Sequence, residues 1–340
     1  MNKLIGYVWN HYLGKMKKAD IEALDGINIA FGLIKDGEVS WDGAKYLDDI
    51  ARIKEINPDI KVILSVGGWG AGGFSDASVT NSGRRKLALS IKTIMESSQL
   101  DGIDLDWEYP TIPAAGIDAR PEDKENFTLL LKEIRETLNE IDSPKYHMLT
   151  IATGAGEAYI EATEMDKVAK LCDYVQIMTY DLGEAYINNT GHHTNLYNYD
   201  TSSKNSSVDN SVKLFTEAGV PKEKIVIGAA FYARKWTGVK SDGNGFNTVS
   251  ATCGSDGPKY GELVENYINL NGYTRHWDDQ AKAPFLYNGE TYLSYDDKES
   301  LLAKVEYVKR IGLYGIMYWE HSCDFTLELT RFMSKILKQT

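Results

Sequence analysis

Four acids fall within one short stretch, Asp101-Gly-Ile-Asp104-Leu-Asp106-Trp-Glu108. If the stretch is a strand, alternate side chains share a face. Asp104, Asp106 and Glu108 then line one side, neighbours roughly 6.6 Å apart, with Ile103, Leu105 and Trp107 on the other. Asp is depleted in strands, and acids are rarely buried without partners, so the row needs a reason. A buried salt-bridge network is one, but Arg234 is the only basic candidate near the other strand ends. A metal site is another; no histidine accompanies the carboxylates, although an all-oxygen magnesium site stays open. The third reason is catalysis. Crowded carboxylates cannot all ionise easily, so one keeps its proton toward neutral pH. A protonated Glu can protonate the leaving oxygen of a glycosidic bond. Glu108, the last of the row, is the natural acid.

Such a row has to be held by other strands. Short apolar, β-branched runs predict eight of them, at Leu4–Val8, Ile27–Phe31, Lys61–Ser65, Gly102–Asp106, Met148–Thr153, Tyr174–Met178, Ile225–Ala230 and Gly315–Trp319. Amphipathic segments lie between, at Ala44–Glu55, Arg84–Glu96, Glu122–Glu140, Val208–Ala218 and Lys298–Ile311, the last with Asp297 as N-cap and Gly312 as its stop. Alternating strands and helices imply parallel pairing through right-handed crossovers. Eight units predict a (β/α)8 TIM barrel, whose active sites form at the C-terminal ends of the strands. A doubly wound open sheet is the alternative, weakened because no GxGxxG follows the first strand. The stretch from Ala230 to Gly315 is too long for one crossover and carries Gly/Ser/Asp clusters at Ser241–Gly245 and Gly254–Gly257. It predicts a small α+β insertion domain between strands seven and eight, at 235–297, with the barrel formed by 1–234 and 298–340.

Composition narrows the partners. Of 340 residues, 43% are hydrophobic and 25% charged, which is ordinary for a globular chain. The 21 Tyr and 7 Trp suit either a groove that stacks flat ligands or a tyrosine-rich surface. With 49 acidic against 37 basic residues the formal charge is −12. No basic cluster could track a phosphate backbone, so nucleic acid is not an expected partner, and a neutral or cationic substrate fits better. Cys172, Cys253 and Cys323 are widely spaced and odd in number, which predicts neither a disulfide framework nor a zinc site. No apolar run is long enough for a membrane span or a signal segment. The expected location is the cytoplasm, or outside the cell if an export signal has been removed.

The acid pattern D-x-x-D-x-D-x-E resembles the signature of the family 18 glycoside hydrolases, the chitinases, on strand four of a barrel. Other segments match in order. Ser65-Val-Gly-Gly-Trp69 resembles the strand-three motif and Gln176-Ile-Met178-Thr-Tyr180-Asp181 that of strand six. Phe231-Tyr232-Ala-Arg234 and Met317-Tyr-Trp319-Glu320 resemble the ends of strands seven and eight. Trp277-Asp-Asp-Gln-Ala and Tyr295-Asp-Asp look like the family's insertion and the stretch after it, so the resemblance runs from about Tyr7 to Asp324.

The resemblance implies retaining, substrate-assisted hydrolysis of β-1,4 N-acetylglucosamine linkages in chitin or chito-oligosaccharides. No protein nucleophile, metal or cofactor takes part in that scheme. Glu108 is implied as acid and then base, Asp106 as the group that orients the acetamido N–H, Asp104 as sharing a proton with Asp106, and Tyr180 as donor to the acetamido carbonyl. Asp181 and Arg234 are implied to hold hydroxyls or carbonyls, Met178 to lie against the sugar, Trp319 to floor the −1 site and Trp69 to stack the +1 sugar. Tyr7, Phe31, Tyr109 and Tyr232 are further cleft residues. Ala230 and Ala233 stand where the family usually has a proline and a glycine, and Tyr186 is the only aromatic offered where a tryptophan often follows the strand-six motif. The insertion implies a cleft with one wall deepened and favours chitin as substrate; a monomer is expected. A non-catalytic lectin on the same scaffold, and an endo-β-N-acetylglucosaminidase on other amino-sugar glycans, are the alternatives. His192-His193 could suggest a metal pair, but adjacent side chains diverge and the run looks like a family loop.

Overall fold

The computed structural model describes residues 2–200 and 206–339. Eight strands form the centre: β1 (Lys3–Trp9), β2 (Gly26–Lys35), β3 (Lys61–Gly67), β4 (Gly102–Asp106), β5 (Met148–Thr153), β6 (Tyr174–Ile177), β7 (Ile225–Ala230) and β8 (Gly315–Trp319). They pair in chain order and in parallel, and β8 closes onto β1 through the register Lys3–Gly315 to Gly6–Tyr318. The result is the predicted closed (β/α)8 barrel.

Period-two alternation sorts the two faces of each strand. From β1, Ile5 and Tyr7 point inward and join Ile63, Tyr174, Val226 and Met317 in the barrel interior. Leu4 and Val8 point outward into the layer between strands and helices, with Ile103, Leu105 and Trp107 of the β4 segment. Trp107 stacks on Phe74 at 5.3 Å and meets the edge of Phe127 at 5.6 Å. That outward burial compels Asp104 and Asp106 to face the barrel axis.

The helix Lys298–Ile311 has the predicted limits. The Asp297 carboxylate accepts from the amides of Glu299 and Ser300, and Gly312 closes the helix at φ 78°. The predicted helix Ala44–Glu55 is instead a 3-10 turn at Gly43–Tyr46 followed by a helix at Leu47–Ile56. β2 runs past the predicted Phe31 to Lys35 and turns back into Glu38–Ser40. Asp36 and Gly37 both have positive φ, 52° and 76°, the conformation that an Asp-Gly hairpin turn requires.

Between β7 and the Lys298–Ile311 helix stands a five-stranded antiparallel sheet in the order Ser255–Lys259, Tyr232–Trp236, Tyr292–Ser294, Ala283–Tyr287, Thr274–Asp278, with a helix at Tyr260–Asn266. Trp236, Val239, Phe285, Tyr287 and Tyr292 make its small core. Its strand Tyr232–Trp236 follows β7 almost directly, so the sheet rises from the C-terminal end of the barrel. No helix among the described residues is long and apolar enough to cross a membrane.

Candidate active site

A cleft of about 1730 Å³ opens at the C-terminal ends of the strands. Every expected site residue lines it except Asp104: Asp106 from β4 with Glu108 and Tyr109 just after it, Tyr7 from β1, Phe31 from β2, Trp69 after β3, Met178, Tyr180 and Asp181 after β6, Tyr232 and Arg234 after β7, and Trp319 from β8.

Asp104 sits one step below, wholly buried, and is held from four directions. Tyr7 Oη and Ser65 Oγ donate to its Oδ2 at 3.0 and 2.7 Å, and Thr150 Oγ1 and Gln176 Nε2 donate to its Oδ1 at 2.7 and 3.0 Å. Gln176 is itself fixed by Asn28, whose Nδ2 donates to Gln176 Oε1 at 2.8 Å. Burial pushes the Asp104 carboxyl up from its ordinary value, while these donors favour the charged form and pull it back. None of its hydrogen bonds involves Asp106, so the shared proton implied by the resemblance is not drawn in this structure.

Asp106 is 4% exposed, and its Oδ1 is buried with no hydrogen-bond partner. Burial, then the charges of Glu108 and Asp104, push its carboxyl well up. Glu108 lies just past the end of β4 and is 7% exposed. Burial raises it to about 7; the Tyr109 hydroxyl pulls the other way and the charge of Asp181 adds to the rise. Two carboxyls that favour their protonated forms thus stand beneath one opening.

The backbone around them is tightly built. The Gly68 amide donates to Asp106 O at 2.9 Å. A Cβ on Gly67 would fall 2.0 Å from that same oxygen, and one on Gly68 would fall 2.8 Å from the Phe31 ring. The glycine pair therefore lets β3 lie against β4, and sends Trp69 out to the rim, where it is 64% exposed. Three non-proline cis peptides, Ala30–Phe31, Glu108–Tyr109 and Trp319–Glu320, border the cleft.

Opposite the acids, Arg234 grips Asp181 with two hydrogen bonds, Nε to Oδ1 at 2.6 Å and Nη2 to Oδ2 at 2.5 Å, and its Nη1 reaches Asp256 at 2.9 Å. Burial works against the Asp181 charge, but Arg234 and then His193 outweigh it and hold the carboxyl well below the usual range. Arg234 thus pairs with Asp181 and not with the β4 acids. Tyr180 stands between the two groups, its ring edge against Tyr232 at 6.1 Å, and burial followed by the charges of Asp106 and Glu108 keeps its phenol protonated. On the floor, Trp319 stacks on Phe31 at 5.6 Å and meets Trp9 and Tyr7 at 5.3 and 5.8 Å.

Several lining residues escaped the sequence reading. Trp9 follows Tyr7 by two positions on β1, and strand parity alone would have found it. Tyr159, edge-on to Tyr109 at 5.8 Å, and the cleft-lining Asp256 and Lys259 carried no local signal, while Glu320 stood in the strand-eight motif without being given a role. The two histidines diverge to separate partners, His192 Nε2 to Asp278 at 3.1 Å and His193 Nδ1 to Asp181 at 3.3 Å. Among the described residues, no group of three or more His, Cys, Asp or Glu side chains is placed to hold a metal ion.

A model of the family described as "Glycosyl hydrolases family 18" matches residues 3–324. The chain is similar to Chitinase A1 of Niallia circulans, with 40% identity over 310 residues, covering 84% of this chain and 44% of that protein. It is also similar to Chitotriosidase-1 of Mus musculus, with 31% identity over 287 residues, covering 81% of this chain and 61% of that protein. The chain spans about half the length of these curated relatives. A solved structure described as a novel glycoside hydrolase family 18 N-acetylglucosaminidase from Paenibacillus barengoltzii superposes with a TM-score of 0.96 at 45% identity, covering 99% of this chain and 100% of that one.

Proposed function

The chain belongs to glycosyl hydrolases family 18, and from that membership we propose that it hydrolyses β-1,4 linkages between N-acetylglucosamine units of chitin or chito-oligosaccharides, with retention and with substrate assistance. The observation that carries the reading is Glu108: a carboxyl raised to about 7 by burial, at the mouth of the barrel, beside a second acid whose inner oxygen has no partner.

Glu108, protonated, gives its proton to the glycosidic oxygen. The acetamido oxygen of the −1 sugar attacks its own C1 as the bond to the leaving oxygen breaks, forming an oxazolinium ion. Glu108, now a carboxylate, takes a proton from water as that water attacks C1, which opens the ring and restores the acetamido group. Two inversions give retention. Asp106, whose Oδ1 is tied to no partner, swings toward the acetamido N–H, accepts it and, once ionised, stabilises the positive charge that grows there. The Tyr180 hydroxyl donates to the acetamido oxygen and sets the angle of attack. Holding a nucleophile in line in this way is worth up to about 7–11 kcal/mol in well-oriented systems. Trp319 floors the −1 sugar, Met178 lies against it, and Trp69 stacks the sugar at +1. Asp104, fixed by its four donors, supplies a stationary negative charge beneath Asp106.

The test is Glu108→Gln against a fluorogenic chito-oligosaccharide. Turnover is expected to fall by about 10²–10⁴ with oligosaccharide binding retained; a variant that keeps its rate removes Glu108 as the acid. A wild-type protein that binds and never cleaves would instead support a lectin. A second reading, release of single N-acetylglucosamine units, is favoured by the full-length likeness to the Paenibacillus N-acetylglucosaminidase. The product profile over oligomers of several lengths separates it from internal cleavage.

A further inference from the structure

Tyr180 and Asp181 stand on a turn after β6 has ended at Ile177. No strand ladder holds them. Behind them, outside the cleft, lies a buried ion pair: Lys304 Nζ is 2.6 Å from Asp296 Oδ2, with both side chains 0% exposed. A buried charge pair is costly unless its remaining hydrogen-bonding groups are satisfied, and here they are satisfied by the chain around the turn. Lys304 Nζ donates to Thr194 Oγ1 at 2.6 Å. Asp296 Oδ1 accepts from Ser300 Oγ at 2.7 Å, and its Oδ2 from the Ala230 amide at 3.0 Å. The Thr194 hydroxyl lies 2.9 Å from Asp296 Oδ2 and 3.3 Å from the Thr179 carbonyl, the peptide that leads into Tyr180. Thr179 Oγ1 is exchanged with the backbone of Gly228 on β7, donating to its carbonyl and accepting from its amide, both at 2.8 Å. Next to Thr194, the His193 amide donates to Ser294 Oγ at 3.1 Å, and His193 Nδ1 lies 3.3 Å from the Asp181 amide and from its carboxylate.

We infer that Thr194, gripped by the buried Asp296–Lys304 pair, is a positioning residue for the 179–181 turn and sets where the Tyr180 hydroxyl stands in the cleft. This hydroxyl ties the chain just past β6 to the chain returning from the inserted sheet, and Asp296 carries the tie on to Ala230 at the end of β7. The consequence for rate rests on the role given to Tyr180 under the proposed function; the consequence for the turn itself does not. A displacement of about 1 Å at a group that orients a nucleophile costs on the order of 10²-fold in rate, so a modest loosening is legible in kcat.

Thr194→Val removes the hydroxyl and keeps the shape; Thr194→Ser keeps the hydroxyl. In Thr194→Val, amide hydrogen exchange across 178–182 is expected to speed up by about tenfold or more, without a comparable change in the barrel strands. On a fluorogenic chito-oligosaccharide its kcat should fall by about tenfold with KM within about twofold, and Thr194→Ser should recover most of the loss. In a Tyr180→Phe background the same Thr194→Val change should alter kcat by less than about twofold, because the group it positions is gone. Unchanged exchange across 178–182 overturns the inference, and so does a full tenfold loss in the Tyr180→Phe background. The exchange measurement decides the positioning role even in a wild-type protein without turnover, a result that would refute the proposed function alone.

Discussion

Glu108 is kept close to half-protonated at neutral pH by its surroundings, and both its reactivity and its cost follow from that. The acid role proposed for it requires the protonated form, so kcat/KM for chito-oligosaccharides should decline as pH rises through about 7; a profile flat from pH 6 to 9 would contradict the proposal. Its folded-state value lies above the ordinary 4.5, so the folded protein holds more protons than the unfolded chain between 4.5 and about 7. Stability from this group is therefore greatest below that window and lost as pH rises across it, by roughly 3 kcal/mol in total. Glu108→Gln carries no charge and escapes the loss. Its Tm should exceed that of the wild type by several degrees at pH 8 and match it near pH 4, as a thermal melt at the two pH values would test. The acids were the most legible part of the sequence, because parity on a strand is a local rule. The cage around Asp104 was not. Its donors come from β1, β3, β5 and β6, and no window along the chain contains them together.

Within a single element, β4, the two ends have different tasks. At its start Asp101 is 3% exposed, 2.6 Å from both Lys54 and Lys145, and accepts the Val62 amide at 2.8 Å. Burial opposes its charge, but Lys145 and Lys54 outweigh it and lower its carboxyl from the ordinary value. That contribution is present above the unfolded value and disappears as pH falls through the folded one. Asp101→Asn should cost about 2 kcal/mol at pH 7, since the Val62 amide and two partly exposed lysines lose a charged acceptor, while kcat of the folded fraction stays unchanged. Denaturant melts beside steady-state kinetics separate the two effects. The lysines come from the helix Leu47–Ile56 and from the stretch before β5, so sequence alone placed Asp101 at the strand start without its partners. Helix limits were legible where capping is local, as at Asp297 and Gly312. They were not legible at Gly43–Tyr46, where a 3-10 turn begins the helix. The Asp36-Gly37 hairpin had a clear signal in its dipeptide and went unread.

Over the whole molecule the barrel gathers charge as well as side chains. The cleft is lined by six acids, Asp106, Glu108, Glu157, Asp181, Asp256 and Glu320, against two bases, Arg234 and Lys259, in a chain of formal charge −12. A neutral oligosaccharide should be cleaved at a kcat/KM that varies less than about twofold with ionic strength, whereas a carboxylated analogue should improve as salt screens the repulsion. Steady-state rates across a salt series would show whether the two diverge. The barrel was readable from eight apolar runs because parallel strands are buried on both faces and so announce themselves. The order of the inserted sheet was not, since antiparallel neighbours there are set by long-range pairing. Barrel closure has a further consequence. The ring of Trp319 lies on β8 and rests against Trp9 and Phe31 of β1 and β2, so the seam joining the last strand to the first two is also the bed of the cleft. During synthesis the acids of β4 leave the ribosome long before that seam can form. Until β8 emerges, the nascent chain carries its row of acids with no floor beneath the cleft they will share.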